Sequence, residues 1–275
     1  MIKKLKGFWR RYSQIAFGGT LFLLIVLMAV FAPLIATHDP GTYAMREALQ
    51  EPSMQHLCGT DAFGRDVFSR IVYGARISLT IALAVLVVCG VLGTVLGLLS
   101  GYYRWAEATI MRLMDGLMAF PSILLALVIL TVFGSGIQNI IMALSISYLP
   151  RVVRTIRGTV ISVKEYEHVE AARAMGASDA RIIFRYILPL CISPLIIRLT
   201  LIMALTVLSE SSLTFLGVGL SPEIPSWGNI LSEGRQYITT SPYLITLPGL
   251  AIVLAVLSLN TLGDGLRDLL DPRLK

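Results

Sequence analysis

Charge is what this sequence has least of. Only 15% of its 275 residues are Asp, Glu, Lys or Arg, against roughly 25% in soluble domains, and the mean hydropathy is +0.75. A chain of this length needs more charge than that to cover a water-facing surface, so a soluble enzyme is excluded and the bilayer becomes part of its solvent. Cysteine is scarce too. Cys58, Cys89 and Cys191 form an odd, scattered set, without the close pairing of a zinc or redox motif and without the makings of a disulfide scaffold. Lys3, Lys4, Lys6, Lys164 and Lys275 are all the lysines there are, and none completes G-x-x-x-x-G-K-[ST], so the chain has no P-loop with which to bind ATP. His38, His56 and His168 are not paired at ligand spacing, and no serine or cysteine has an evident base partner. No catalytic residue, metal or cofactor is therefore expected on this chain. The net charge of +6 would point to nucleic acid in a soluble protein, but here it follows from where basic residues sit relative to a membrane, and no nucleic-acid partner is expected.

What the sequence does have is long uncharged runs. A helix needs about 20 mostly apolar residues to cross roughly 30 Å of hydrocarbon. The spacing predicts an all-α polytopic membrane protein with six transmembrane helices, at about 15–36, 77–101, 116–133, 137–154, 193–216 and 243–262. The uncharged stretch between Asp115 and Arg151 is too long for one helix and divides at Phe133-Gly134-Ser135-Gly136. Pro121 and Pro248 fall inside the third and sixth helices, where a missing amide donor permits a kink. Around these lie a basic tail at 1–14, an external segment at 37–76, a transmembrane domain at 77–264 and a tail at 265–275. The first run, Ile15 to Ala36, is longer than a signal-peptide core of roughly 7 to 15 residues and lacks an A-x-A site, so it reads as a retained anchor. Of the 23 Lys and Arg, seventeen fall in segments that share one side if the start of the chain is cytoplasmic, five fall on the other, and Arg198 lies within a span. That bias predicts both termini on the cytoplasmic side.

The charged loop at 157–189 reads as two short helices. Ser162-Val163-Lys164-Glu165 fits a capping box that opens a helix over Val163–Met175, and Gly176 suits the left-handed position that ends it. Ser178 or Asp179 caps a second helix that runs to Pro189. The first of these, with Glu165, Glu167, Glu170 and the small Ala171, Ala172 and Ala174, is either a docking element or an interfacial link between spans. Inside the fifth span, Glu210 stands among Ser209, Ser211 and Ser212; an intramembrane carboxyl lines a path or pairs with a neighbouring helix. Arg198 is expected to snorkel, and Asp264 and Arg267 to pair across a turn. Asp61, Arg65, Asp66 and Arg70 either face an external partner or cap the second helix.

Glu170-Ala171-Ala172, three residues, Gly176, and then Ile187-Leu188-Pro189 resemble the EAA motif of ABC importer permeases. Tyr186 stands where the wider family places an isoleucine, and the fuller string from Glu170 to Asp179 with Arg185 to Pro189 resembles the dipeptide and oligopeptide branch. Gly59-Thr60-Asp61, Gly64-Arg65-Asp66, Gly74-Ala75-Arg76, Glu210 to Gly217, Trp227-Gly228, Gly263 to Asp268 and Asp271-Pro272-Arg273 are similar to other segments of that branch, and the first 37 residues to its second, C-type permease. The resemblance implies a type I importer fold with a cytoplasmic helix-turn-helix coupling loop between the fourth and fifth spans. It implies an ATPase contact at Glu170, Ala171, Ala172 and Gly176; the intramembrane carboxyl of Glu210, rather than the resemblance, makes Glu210, Ser209 and Ser212 the translocation-path candidates. The implied partners are a homologous B-type permease, two ATP-binding subunits that hold ATP and Mg, an external solute-binding protein and membrane lipid. The implied cargo is a di- or oligopeptide, or alternatively a nickel chelate, glutathione, an opine or an oligosaccharide, crossing a bacterial cytoplasmic membrane.

Overall fold

The computed structural model describes residues 13–270; the basic residues before Ser13 and the Asp271-Pro272-Arg273 segment lie outside them. The described residues are overwhelmingly helical, with one isolated antiparallel bridge between Thr60 and Asp66. The helices are α1 (Ser13–Val30), α2 (Ala32–Ile35), α3 (Val67–Tyr102), α4 (Arg104–Met118), α5 (Ser122–Phe133), α6 (Ile137–Val163), α7 (Glu167–Ala174), α8 (Asp179–Arg181), α9 (Leu188–Phe215), α10 (Trp227–Gly234) and α11 (Tyr243–Leu270). A π-helical turn at Ile182–Ile187 joins α8 to α9 in one rod.

By length and composition, α1, α3, the α8–α9 rod and α11 can each cross a membrane, and the pair α4–α5 makes a fifth crossing if counted together. α6, where a fourth span was expected over 137–154, is long enough but not apolar enough to count among them, because it carries Gln138, Asn139, Pro150 and Arg151. It tolerates them because it is an inner helix. Ile140, Leu144, Val152, Ile156 and Val160 are buried along it, and they join α3 and α9 residues such as Ile81, Val85 and Ile202 in one core.

The α3–α6 contact rests on three glycines one helical turn apart. A Cβ on Gly93, Gly97 or Gly101 would lie 2.6 Å from the Cβ of Val152, Ile156 or Val160 respectively. Small residues at i, i+4, i+8 let two backbones approach where lipid offers no hydrophobic drive for packing. On the other side of the bundle α11 meets α1 in the same way, with Gly18 against the backbone at Ser258 and Leu262, and Gly265 against Ile15.

Several predicted boundaries move. The third helix does not run unbroken over 116–133: α4 and α5 meet at 89°. Pro121 disfavours helical backbone at Phe120 and ends α4 before it. The twelve residues of α5 reach only about 18 Å, so α5 crosses only together with α4. The helix over 104–118 was not anticipated; it is amphipathic, with Ala106 and Met114 buried and Trp105 and Leu113 exposed. The second helix begins at Val67 rather than 77, capped by Asp66, whose side chain accepts the Ser69 amide. Its 36 residues give about 54 Å, so its first turns stand clear of the hydrocarbon. The fifth begins well before 193, because Pro189 occupies the first turn of α9, where a missing amide costs nothing. The sixth continues past 262 to Leu270, since Gly263 and Gly265 serve as packing surfaces instead of stops.

Candidate functional site

The projecting loop is built differently from its sequence pattern. Ser162 belongs to α6, where its hydroxyl donates to the Gly158 carbonyl at 3.2 Å, so the capping box over Ser162–Glu165 does not form. α6 runs on to Val163, the chain turns at Lys164–Tyr166, and α7 covers Glu167–Ala174. The predicted stop is where expected: Gly176 has φ +80°, and the amides of Gly176 and Ala177 donate to the carbonyls of Arg173 and Ala172, each at 3.0 Å. These two bonds are the Schellman closure, which requires a left-handed residue at this position. Pro189 does not end the following helix, for the reason given above.

Of the four proposed contact residues, Glu170, Ala171 and Gly176 are exposed and Ala172 faces inward. Ala172 is 2% exposed and Val169 is fully buried; Val169 joins Ile182, Ile183 and Ile187 of the π turn in the core shared with α3 and α6. α7 is therefore seated on the bundle by one face and free on the other. At its tip Met175 is 80% exposed, a large apolar side chain at a helix end that sequence reasoning passed over although it sits inside the quoted motif. Tyr102 ties the end of α3 to the start of α8 by donating to Asp179 at 2.6 Å.

Glu210 is fully buried in α9. It accepts from Ser78 of α3 at 2.8 Å, from Thr214 at 3.1 Å and from Ser211 at 3.4 Å. Ser209, also buried, shares a 2.6 Å hydrogen bond with the hydroxyl of Tyr148 on α6. Ser212 is only partly buried and donates to the Leu208 carbonyl at 2.8 Å. Glu210 and Ser209 thus join α9 to α3 and α6, and Ser212 stands apart from them. Arg198 does more than snorkel: its Nε donates to Thr155 of α6 at 3.0 Å. Asp264 and Arg267 are both exposed within α11, and the expected pair across a turn is not among the ion pairs of the described residues.

At the other end of the bundle, Asp61, Arg65 and Arg70 form a buried ion network with Glu233 of α10. Arg65 binds Asp61 at 2.7 Å and Glu233 at 2.6 Å, and Arg70 bridges the same two carboxylates. Glu233 was not singled out, because nothing in the local pattern shows that α10 folds back over α3. Burial works to lower the Arg65 pKa, but the charges of Asp61 and Glu233 outweigh it and hold the guanidinium above its ordinary value. Burial likewise opposes ionisation of Asp66; the amide and hydroxyl of Ser69 and the His56 ring prevail, keeping its carboxyl below the ordinary range. The Asp61–Arg65–Arg70–Glu233 network and the Asp66 cap lock the segment before α3 in place and leave little charge free to face a partner.

Comparison with known proteins agrees with this architecture. Residues 93–275 match the family described as binding-protein-dependent transport system inner membrane component, and residues 5–52 match the N-terminal TM domain of oligopeptide transport permease C. A Brucella abortus protein named for a peptide transport system is 44% identical over 265 residues, covering 96% of this chain and 90% of its own. The glutathione transport system permease protein GsiD of Pectobacterium atrosepticum is 42% identical, with 98% and 91% covered. The di/tripeptide transport system permease protein DppC of Pseudomonas aeruginosa is 43% identical, with 98% and 93% covered. Among solved structures, an amino acid ABC transporter crystallised with histidines shares the fold at a TM-score of 0.58 and 14% identity, over 74% of this chain and 95% of the other. The bundle of polar-linked helices and its outward-standing loop helix belong to a multi-pass membrane protein, and the chain is a member of the binding-protein-dependent transport system inner membrane component family of ABC importer permeases.

Proposed function

We propose that this chain is one of two related permease halves of an importer for di- or oligopeptides, powered by ATP hydrolysis on separate subunits. The partners are a B-type permease, two ATP-binding subunits that hold ATP and Mg, and an external solute-binding protein. Both termini lie in the cytoplasm, as the distribution of Lys and Arg favours. Relatives named for peptide transport support the peptide cargo, and one named for glutathione supports a glutathione-type tripeptide as the second reading.

The observation that carries the ATPase coupling is the two-faced seating of α7. Val169 and Ala172 hold it to the bundle, while Glu170, Ala171 and Gly176 stand exposed beside Met175. A helix so placed passes a push from a docked ATPase to the π turn and α9 without bending on its own. Coupling needs an element that both sites bias, and the rod from Asp179 to Phe215 is its candidate. Along it Glu210 and Ser209 hold the helix against α3 and α6, and Ser212 occupies the part-exposed side offered to the path.

The test is uptake of labelled dipeptide in cells that co-express the partner subunits. Glu170→Arg is expected to abolish uptake while the permease still inserts and folds, since an exposed side chain contributes little to stability. Gly176→Ala forces φ +80° on a residue with a Cβ, at about 1–2 kcal/mol, and is expected to lower uptake partially. Normal uptake and normal ATPase binding in Glu170→Arg would remove this assignment. Uptake that follows the gradient in vesicles holding the chain alone would make it a channel.

A further inference from the structure

Beside the Asp61–Arg70–Glu233 network, a second cluster joins the outer end of the first span to the start of α3. His38 follows α2, His56 comes from the intervening loop, and Asp66 is the N-cap of α3; ligand atoms from the three all lie within 4.8 Å of one another. His56 Nδ1 is 2.9 Å and His38 Nδ1 is 3.8 Å from the same oxygen, Asp66 Oδ1. The other oxygen, Oδ2, accepts the Ser69 amide at 2.8 Å, so helix capping leaves Oδ1 to the histidines. The Thr37 hydroxyl completes the rim, 3.1 Å from His38 Nδ1 and 3.3 Å from Asp66 Oδ2.

His56 poses a problem that neutral protein groups do not solve. Its side chain is 3% exposed, with Nδ1 against Asp66 and Nε2 at 3.4 Å from the Glu47 carboxylate, and Nε2 makes no hydrogen bond. A neutral imidazole carries one proton. With the proton on Nδ1, the Nε2 lone pair faces Glu47; with it on Nε2, the Nδ1 lone pair faces Asp66. In either tautomer two acceptors confront each other, and a cation resolves the conflict. A second proton on His56 would suffice for that ring alone. It leaves unexplained why a second imidazole lies with its centroid 4.7 Å away and turns its Nδ1 toward the same carboxylate oxygen.

We propose that His38, His56 and Asp66 form a binding site for a divalent ion of the zinc class, with Glu47 orienting His56 from behind. Donors at about 2.0–2.1 Å from a tetrahedral ion sit about 3.3–3.4 Å from one another, and the 2.9 and 3.8 Å separations bracket that spacing. His56 then ligates through Nδ1 and directs its Nε2–H at Glu47, the carboxylate–histidine arrangement that fixes a ligand's tautomer. Two imidazoles and one carboxylate favour zinc, cobalt or nickel over magnesium or calcium. The side chain of His38 is 40% exposed, which gives the ion access, and the fourth position goes to water. The bound ion ties α2 to the N-terminus of α3 across the external segment, a staple for the first membrane helix.

The full-length protein in nanodiscs, stripped with a chelator, is titrated with Co²⁺ and then Zn²⁺. About one Co²⁺ per chain is expected, with the intense visible absorption of a tetrahedral site; Zn²⁺ displaces it and raises the unfolding temperature. His38→Ala removes a half-exposed ring, leaves the buried groups in place and is expected to lose the cobalt spectrum. Glu47→Gln is expected to keep the spectrum and weaken affinity about 10–100-fold. Wild-type protein that binds no more Co²⁺ than His38→Ala, or that gains no thermal stability from Zn²⁺, overturns the proposal in favour of a doubly protonated His56.

Discussion

Replacing Gly97 by alanine adds one methyl group to the α3–α6 contact. Built on the present backbone, that carbon lies 2.6 Å from Ile156 Cβ, 2.8 Å from Ile156 Cγ2 and 3.1 Å from the Val153 carbonyl oxygen, where ordinary carbon contacts are about 3.5–4.0 Å. Ile156 is fully buried, and neither Cβ can rotate away, so the helices must part by about 1 Å. The gap reaches the levels of Gly93 and Gly101, which share the 2.6 Å spacing, and forfeits about a quarter to a half of each contact's attraction. Overpacking of this kind costs about 1–3 kcal/mol, while the better helix propensity of alanine offsets up to about 1 kcal/mol. Gly158 on α6 has nothing within 4 Å of an added Cβ, so Gly158→Ala keeps the propensity gain without the collision. The difference between the two variants isolates the overpacking penalty of about 1–3 kcal/mol. Unfolding of the purified protein in detergent, by heat or by titration with SDS, measures it. Equal stability of Gly97→Ala and Gly158→Ala would refute the role given to the glycine stripe.

Two further outcomes are expected. Arg70→Met strands Asp61 and Glu233 beside one remaining cation; Arg70 is 1% exposed, and removing one partner of a buried pair costs about 3–5 kcal/mol, read in the same unfolding assay. A loss below about 1 kcal/mol, the worth of a surface pair, would mean that the network is solvated. Burial first, and the charge of Asp66 second, push the Cys58 thiol above its ordinary pKa. Its thiolate fraction is therefore smaller than that of a free thiol at any pH below the raised value. Maleimide labelling of Cys58 is expected to be slow near neutrality and to keep rising with pH beyond about 8.5, the ordinary thiol value. An impermeant reagent applied to intact cells checks orientation at the same time, since Cys89 and Cys191 are buried; labelling only after permeabilisation would place residues 37–66 inside.

The membrane class and the charged helix that interrupts the apolar spans were legible in the sequence because each is a one-dimensional signal; the count of six spans was not, since four helices, or five with the bent pair, are apolar and long enough to cross. Crossing hydrocarbon demands a run of apolar residues wherever it occurs, and the stop at Gly176 follows from a backbone need that glycine meets. Helix ends were less legible. Ser162 and Glu165 satisfy a capping pattern, yet α6 is held along its length by α3 and continues through Ser162 to Val163. Pro189 looks like a terminator, and the π turn before it turns it into a first-turn residue. The projecting helix was visible from its charged and small residues, but which face it turns outward was not, since Ala171 and Ala172 differ only in what lies beneath them.

Sequence alone decided that this chain must live in lipid, that it carries no P-loop, and that a charged helix interrupts its apolar spans, because composition and spacing obey the solvent directly. Tertiary structure alone decided the fates of individual polar groups. Glu210 meets Ser78 across 132 residues, Arg65 meets Glu233 across 168, and His38, His56 and Asp66 converge from three separate segments. None of these pairings has a local period to betray it. They exist because a buried charge or ring nitrogen must find a partner, and only the packed bundle determines which one is within reach.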